Sequence, residues 1–161
     1  MMYDFNADDT FEVAQQLERN GAQFYRAAAA SVKDSTAREL LWHLAGMEDE
    51  HEKTFAQMRT QLKDSEKTST VFGPQGEAAG YLKALADTRV FFEKKIDTSS
   101  LEEILKAAIT AEKDSIVFYL GMKDSVPERI GRGRIDEIIK EEMRHIDALS
   151  REFATLSHQL L

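Results

Sequence analysis

Four residues recur at one fixed distance along this chain. Glu18, Tyr25, Glu48 and His51 are matched, 94 positions later in every case, by Glu112, Tyr119, Glu142 and His145. In both copies the first Glu precedes the Glu of a Glu-x-x-His by 30 positions. A repeat of this kind restricts the fold severely, because each half must present the same side chains from equivalent elements. Two halves that each offer two carboxylates and one imidazole on helical segments match what a pair of metal ions inside a helix bundle requires.

The periodicity around these residues is helical. In a first segment, about residues 9–32, Phe11, Ala14, Glu18, Ala22, Tyr25 and Ala29 fall three or four apart and share a face. Asp8, Asp9 and Thr10 are its expected caps. A second segment, about 36–62, carries Leu41, Leu44, Glu48, His51, Phe55, Met58 and Leu62 on one seam, and Thr36-x-x-Glu39 reads as its capping box. A third, about 101–123, aligns Leu105, Ala108, Glu112, Ser115, Tyr119 and Met122, with Ser99-x-x-Glu102 and Ser100-x-x-Glu103 both able to cap it. A fourth starts at Glu128 or Ile135, around the Gly131-Arg132-Gly133 break, and runs to about 157. It aligns Ile135, Ile138, Glu142, His145, Leu149 and Phe153. Residues 63–80 read as a polar loop, followed by a short helix at about 81–93.

The connections after the first and third segments are short, which predicts two antiparallel hairpins. The crossover between them is long. The predicted fold is therefore all-α: a four-helix bundle in one domain, residues 1–161, with the ferritin-like topology and a short extra helix in its crossover. At 161 residues such a bundle can bury a core without staples.

In every segment a carboxylate or imidazole stands where the stripe calls for an apolar residue. Glu and His three apart lie one turn apart on the same face. A stray Glu-x-x-His is cheap in a chain with this much Glu, so the two pairs alone carry little. The Glu and Tyr matched at the same offset are independent of them, and carboxylates left unpaired on four core stripes would cost several kcal/mol. Two divalent ions about 3.5–4 Å apart need about four negative charges around them. Glu18, Glu48, Glu112 and Glu142 supply these, and His51 and His145 give one nitrogen per ion. Tyr25 and Tyr119 lie two turns beyond Glu18 and Glu112. They read either as core aromatics or as phenols serving a carboxylate, by a hydrogen bond or as a redox group. His43 and His158 read as surface residues. Glu141 lies about 100° off the seam that holds Glu142 and is not expected to be a ligand. Glu50 and Glu52 fail the same test, and Trp42 and the methionines read as packing.

Composition narrows the chemistry. There is no cysteine, so thiolate zinc sites and iron–sulfur clusters are excluded. Carboxylate and imidazole donors suit iron or manganese, and imidazole also admits zinc. The net charge of −8 argues against nucleic acid and against anionic membrane surfaces. No apolar run reaches the roughly 18 residues of a spanning helix. The opening Met1-Met2-Tyr3-Asp4 lacks a signal-peptide layout, so a cytoplasmic location is expected.

The phrases around the ligands narrow the reading further. Leu17-Glu18-Arg19-Asn20-Gly21-Ala22-Gln23-Phe24-Tyr25, Glu112-Lys113-Asp114-Ser115-Ile116-Val117-Phe118-Tyr119 and Ile139-Lys140-Glu141-Glu142-Met143-Arg144-His145 resemble the rubrerythrin branch of the ferritin-like di-iron carboxylate proteins. The resemblance implies a homodimeric bundle holding two iron ions. It implies that Glu48 and Glu142 bridge or flank those ions, with Glu18 and Glu112 more terminal. It implies reduction of hydrogen peroxide, or oxidation of Fe(II) by peroxide or O₂. The rubredoxin-like cysteine site usual in rubrerythrins is absent, so electrons must come from a separate donor, such as a rubredoxin-type protein. The extra carboxylate often found one turn after the third-helix ligand is replaced by Ser115, opposite Gly21 in the first half. Small residues at both positions are expected to leave room for an oxidant. The competing functions are a non-catalytic iron-binding or storage protein, and a structural bundle with a vestigial site.

Overall fold

The computed structural model describes residues 6–67, 80–82, 84–85 and 100–159. Four long helices carry it: α1, Ala7–Ser31; α2, Ser35–Thr60; α3, Leu101–Lys123; and α4, Glu128–Gln159. A 3-10 turn, Asp64–Lys67, follows α2. No strand occurs among the described residues. Helix α1 packs chiefly on α2 and α3 on α4, with α1–α3 and α2–α4 contacts joining the two hairpins. This is the predicted bundle of two antiparallel hairpins.

Two helix starts differ from expectation. Helix α1 begins at Ala7 because Asn6 caps it: the Asn6 side chain accepts from Asp9 N, and the Asp9 side chain accepts from Asn6 N. Helix α2 begins at Ser35 because Asp34, ahead of the Thr36 box, accepts from Ala37 N at 2.8 Å. Asn6 and Asp34 cap at least as well as Asp8 and Thr36 two positions on, so each helix starts one or two residues earlier than expected. For α3, Ser100 is the cap, accepting from Glu103 N.

Both proposed starts of α4 leave a trace. The helix begins at Glu128, but Gly131 breaks it with φ 101° and ψ 74°. That left-handed conformation is one that glycine adopts without steric penalty. It sets the first turn, with buried Ile130, apart from the straight remainder that carries Ile135 to Phe153.

The crossover is seen in part. Residues 80–82 and 84–85 are helical, at the start of the short helix predicted for 81–93. Leu82 is fully buried, and a Cβ on Gly121 would lie 2.7 Å from the Tyr81 ring, so α3 needs glycine there for the crossover to lie against it. Val90, Phe91 and Phe92 fall outside the described residues. Helix ends are tied by charge: Arg59 near the end of α2 grips Asp8 at the start of α1 with two bonds of 2.8 and 2.9 Å.

The core divides into two clusters along the bundle axis. One holds Phe11, Leu17, Phe55, Met58, Phe118 and Met122, with Ile135 and Ile138. The other holds Ala28, Leu41, Leu44, Ile104, Leu105 and Leu149. On every helix the chain passes from one cluster to the other through the recurring polar residues. Those residues therefore form one polar layer between two apolar ends. Trp42, expected in the packing, is 49% exposed, because it projects off the α2 stripe that Leu41 occupies.

Candidate metal centre

Each helix delivers its polar residues from the middle of its inward stripe. Glu18, Glu48, His51, Glu112, Glu142 and His145 are all 5% exposed or less. They converge as two groups, each of four donor atoms within 4.8 Å of one another: Glu18, Glu48, His51 and Glu142, and Glu48, Glu112, Glu142 and His145. Glu48 and Glu142 belong to both groups, whereas Glu18 and Glu112 belong to one each. The arrangement has the approximate two-fold relation that the 94-residue offset requires. The two imidazole rings stack across it, with centroids 5.8 Å apart and planes inclined by 20°.

Both histidines turn Nδ1 toward the carboxylates. His51 Nδ1 lies 2.9 Å from Glu142 Oε1 and 3.5 Å from Glu18 Oε2, and His145 Nδ1 lies 3.4 Å from Glu112 Oε1. These approaches are close but do not satisfy the atoms. Glu18 Oε2, His51 Nδ1, Glu112 Oε2, Glu142 Oε1 and His145 Nδ1 are buried without a hydrogen-bond partner. An unsatisfied buried polar atom costs about 1–3 kcal/mol, more if charged. Five of them in one layer, all on carboxylate or imidazole side chains gathered around shared space, fit metal ions and fit no packing role.

The electrostatics agree. Burial, then repulsion from Glu18, raises Glu48 and Glu142 well above the usual carboxylate range. Burial pushes Glu112 the same way, but the close approach of Glu142 and His145 outweighs it and holds Glu112 below that range. Burial disfavours the charged form of His51, yet Glu142 and Glu18 overcome it and push the imidazole up to about 11. Without a cation, the layer balances its negative charge with protons.

The phenols join the layer crosswise. Tyr25 of α1 donates to Glu112 Oε1 of α3 at 2.5 Å, and Tyr119 of α3 donates to Glu18 Oε1 of α1. Each phenol thus ties the carboxylate of the opposite half. The tyrosines answer to both readings in part: they are fully buried core aromatics, and each hydrogen-bonds a carboxylate of the site. Burial, then the neighbouring Glu112 or Glu18 charge, raises both hydroxyls well above their usual range, so they stay protonated donors. Tyr119→Phe is expected to leave Glu18 Oε1 unsatisfied and to lower stability by about 1–3 kcal/mol. Thermal unfolding of the metal-free variant measures this; an unchanged melting temperature would contradict the role.

Glu141, off the seam of its helix, is in neither group. It nevertheless reaches the centre from behind: Glu141 Oε2 lies 2.5 Å from His51 Nε2. No signal in the sequence places it there, because the contact depends on how α2 packs beside α4. Glu52 instead serves the surface, accepting from Gln15 and Arg19, and His43 and His158 are exposed. The room expected beside Gly21 is taken by the Glu48 side chain: a Cβ there would come within 3.3 Å of Glu48 Cδ. Gly21 thus makes way for Glu48. On the face between α2 and α4, a cleft of about 550 Å³ reaches the outer edge of His51 and Glu141.

A family model described as Rubrerythrin matches residues 9–153. The chain belongs to the rubrerythrin family. The matched span covers all four helices and all six buried donors of the candidate centre. The bundle is also similar to a crystal structure from Thermotoga maritima, described provisionally as a ferritin-like diiron-carboxylate protein. Identity is 23%, the match covers 96% of this chain and 98% of that one, and the TM-score is 0.70. That likeness establishes the ferritin-like fold. No curated protein matches the chain. Among the described residues, no helix of this rubrerythrin is long and apolar enough to cross a membrane.

Proposed function

We propose that this rubrerythrin holds two iron ions between Glu18, Glu48, His51, Glu112, Glu142 and His145. It uses them to reduce hydrogen peroxide, or to oxidise Fe(II) with peroxide or O₂. The observation that carries this reading is the sharing of Glu48 and Glu142 between the two donor groups. Shared carboxylates hold two cations side by side, whereas a single-ion site would leave half of these donors idle.

Bound iron supplies a reversible pair of electrons, one from each ion. The protein supplies the surroundings. Glu18, Glu48, Glu112 and Glu142 offset the charge of two divalent ions, and His51 and His145 add one neutral nitrogen to each. Tyr25 and Tyr119 fix the outer carboxylates and offer protons close by. The apolar clusters above and below keep bulk water from the layer. With no cysteine in the chain, electrons come from a separate donor of rubredoxin type. We propose further that the protein works as a cytoplasmic homodimer, and that Mn or Zn can take the place of iron among the same donors.

Anaerobic loading with Fe(II), followed by stopped-flow mixing with peroxide, tests the proposal. Oxidation of two irons per chain, faster than free Fe(II) at equal concentration, is expected. Oxidation no faster than free iron would overturn the activity and leave an iron-binding or storage protein.

A further inference from the structure

The two halves of the centre differ behind their histidines. His51 faces the donor groups with Nδ1 and turns Nε2 outward to Glu141 Oε2, 2.5 Å away. The offset that relates the halves takes His51 to His145 and takes Glu141 back to Met47. A thioether is a weak acceptor and carries no charge. One imidazole therefore has a carboxylate behind it, and at the matching position of the other half there is none.

The consequence follows from imidazole chemistry. A carboxylate that accepts the Nε2 proton fixes the tautomer, leaves the lone pair on Nδ1 and stops ring rotation. It also polarises the ring, so that Nδ1 becomes the stronger donor. Nδ1 is the buried, unsatisfied atom that points at Glu18, Glu48 and Glu142. Glu141 itself is not part of the buried layer. Its side chain is 32% exposed and borders the cleft between α2 and α4, where Met47 also lies. Its place is thus compatible with a substitution that opens no void in the core.

We infer that Glu141 is a positioning residue that makes the His51 half the tighter of two unequal ion sites, the first to fill. Met47 leaves the His145 half the weaker one. This rests on the proposal that the six residues hold two ions, and it adds an order of filling that the symmetric ligand set does not contain.

Titration of the metal-free full chain with Co(II), followed by visible absorption, tests it. The wild-type chain is expected to fill in two steps. Glu141→Ala should weaken the tighter step about 10–100-fold and leave the weaker one in place. Glu141→Gln, which keeps an acceptor oxygen without the charge, should fall between the two. Met47→Glu should tighten the weaker step, a gain that no loss of folding can imitate. Two wild-type steps that Glu141→Ala leaves unmoved would overturn the inference, as would a weaker step that Met47→Glu leaves unmoved. A wild-type chain that takes up no Co(II) would overturn the two-ion reading itself, and with it this one.

Discussion

Glu142→Ala is expected to cost the protein at least one of the two ions proposed for it, and Glu48→Ala the same. Both carboxylates are counted in both donor groups, so removing either takes a ligand from each ion at once. The loss also leaves unbalanced positive charge in a layer with about 95% or more of its surface buried, where charge is poorly screened. Glu52→Ala is the control. Glu52 sits one residue beyond His51 but turns outward to Gln15 and Arg19. Iron content per chain after loading and desalting measures the difference. Two ions in wild type and Glu52→Ala, with one or none in the other two variants, is the expected pattern. Equal content in all of them would refute the seam assignment.

The metal-free protein should lose stability as pH rises, against the usual trend for a chain with a net charge of −8 in which carboxylates are paired. Glu48 and Glu142 are raised well above the ordinary carboxylate value of 4.5, by burial first and by neighbouring carboxylates second. The folded chain then binds more protons than the unfolded chain above pH 4.5, so stability falls with rising pH through that range. His51 acts in the same sense. Its contribution is complete below the unfolded value of 6.5 and is lost as pH climbs toward about 11. Each extra proton held by the folded state is worth about 1.4 kcal/mol per pH unit. Glu112 and Asp8, whose values are lowered, work the other way only at acid pH, below their ordinary carboxylate values. At about 2–4 °C per kcal/mol for a chain of this size, each such proton held from pH 5 to pH 8 should lower the metal-free melting temperature by about 10 °C. Fe(II) competes with the same protons, so its stabilising effect should grow over that interval. Differential scanning calorimetry with and without metal measures both slopes. A metal-free melting temperature that stays flat or rises would contradict the electrostatic account of the layer.

Much of this was legible in the sequence because the site breaks a pattern. Glu18, Glu48, Glu112 and Glu142 stand on stripes otherwise filled by residues such as Phe11, Leu44, Leu105 and Ile138, and a helix cannot turn one residue of a stripe to solvent without turning its neighbours. Burial of the six donors followed from that alone, and the common offset made them one layer. What was not legible depended on geometry between helices. Glu141 is off the seam of its own helix, and only the position of α2 puts His51 Nε2 within its reach. The crosswise bonds of Tyr25 and Tyr119 needed the α1–α3 contact. Which residue caps α1 or α2 is a contest between neighbours of similar strength, and Asn6 and Asp34 won by position. The room beside Gly21 reads as space until the Glu48 side chain is placed in it.

The central claim is that the layer holds two ions sharing Glu48 and Glu142. Anomalous scattering at the iron edge, from crystals of the Fe(II)-loaded protein, tests it most directly. Two peaks are predicted, one among Glu18, Glu48, His51 and Glu142 and the other among Glu48, Glu112, Glu142 and His145. A single peak, or iron bound only outside this layer, would contradict it.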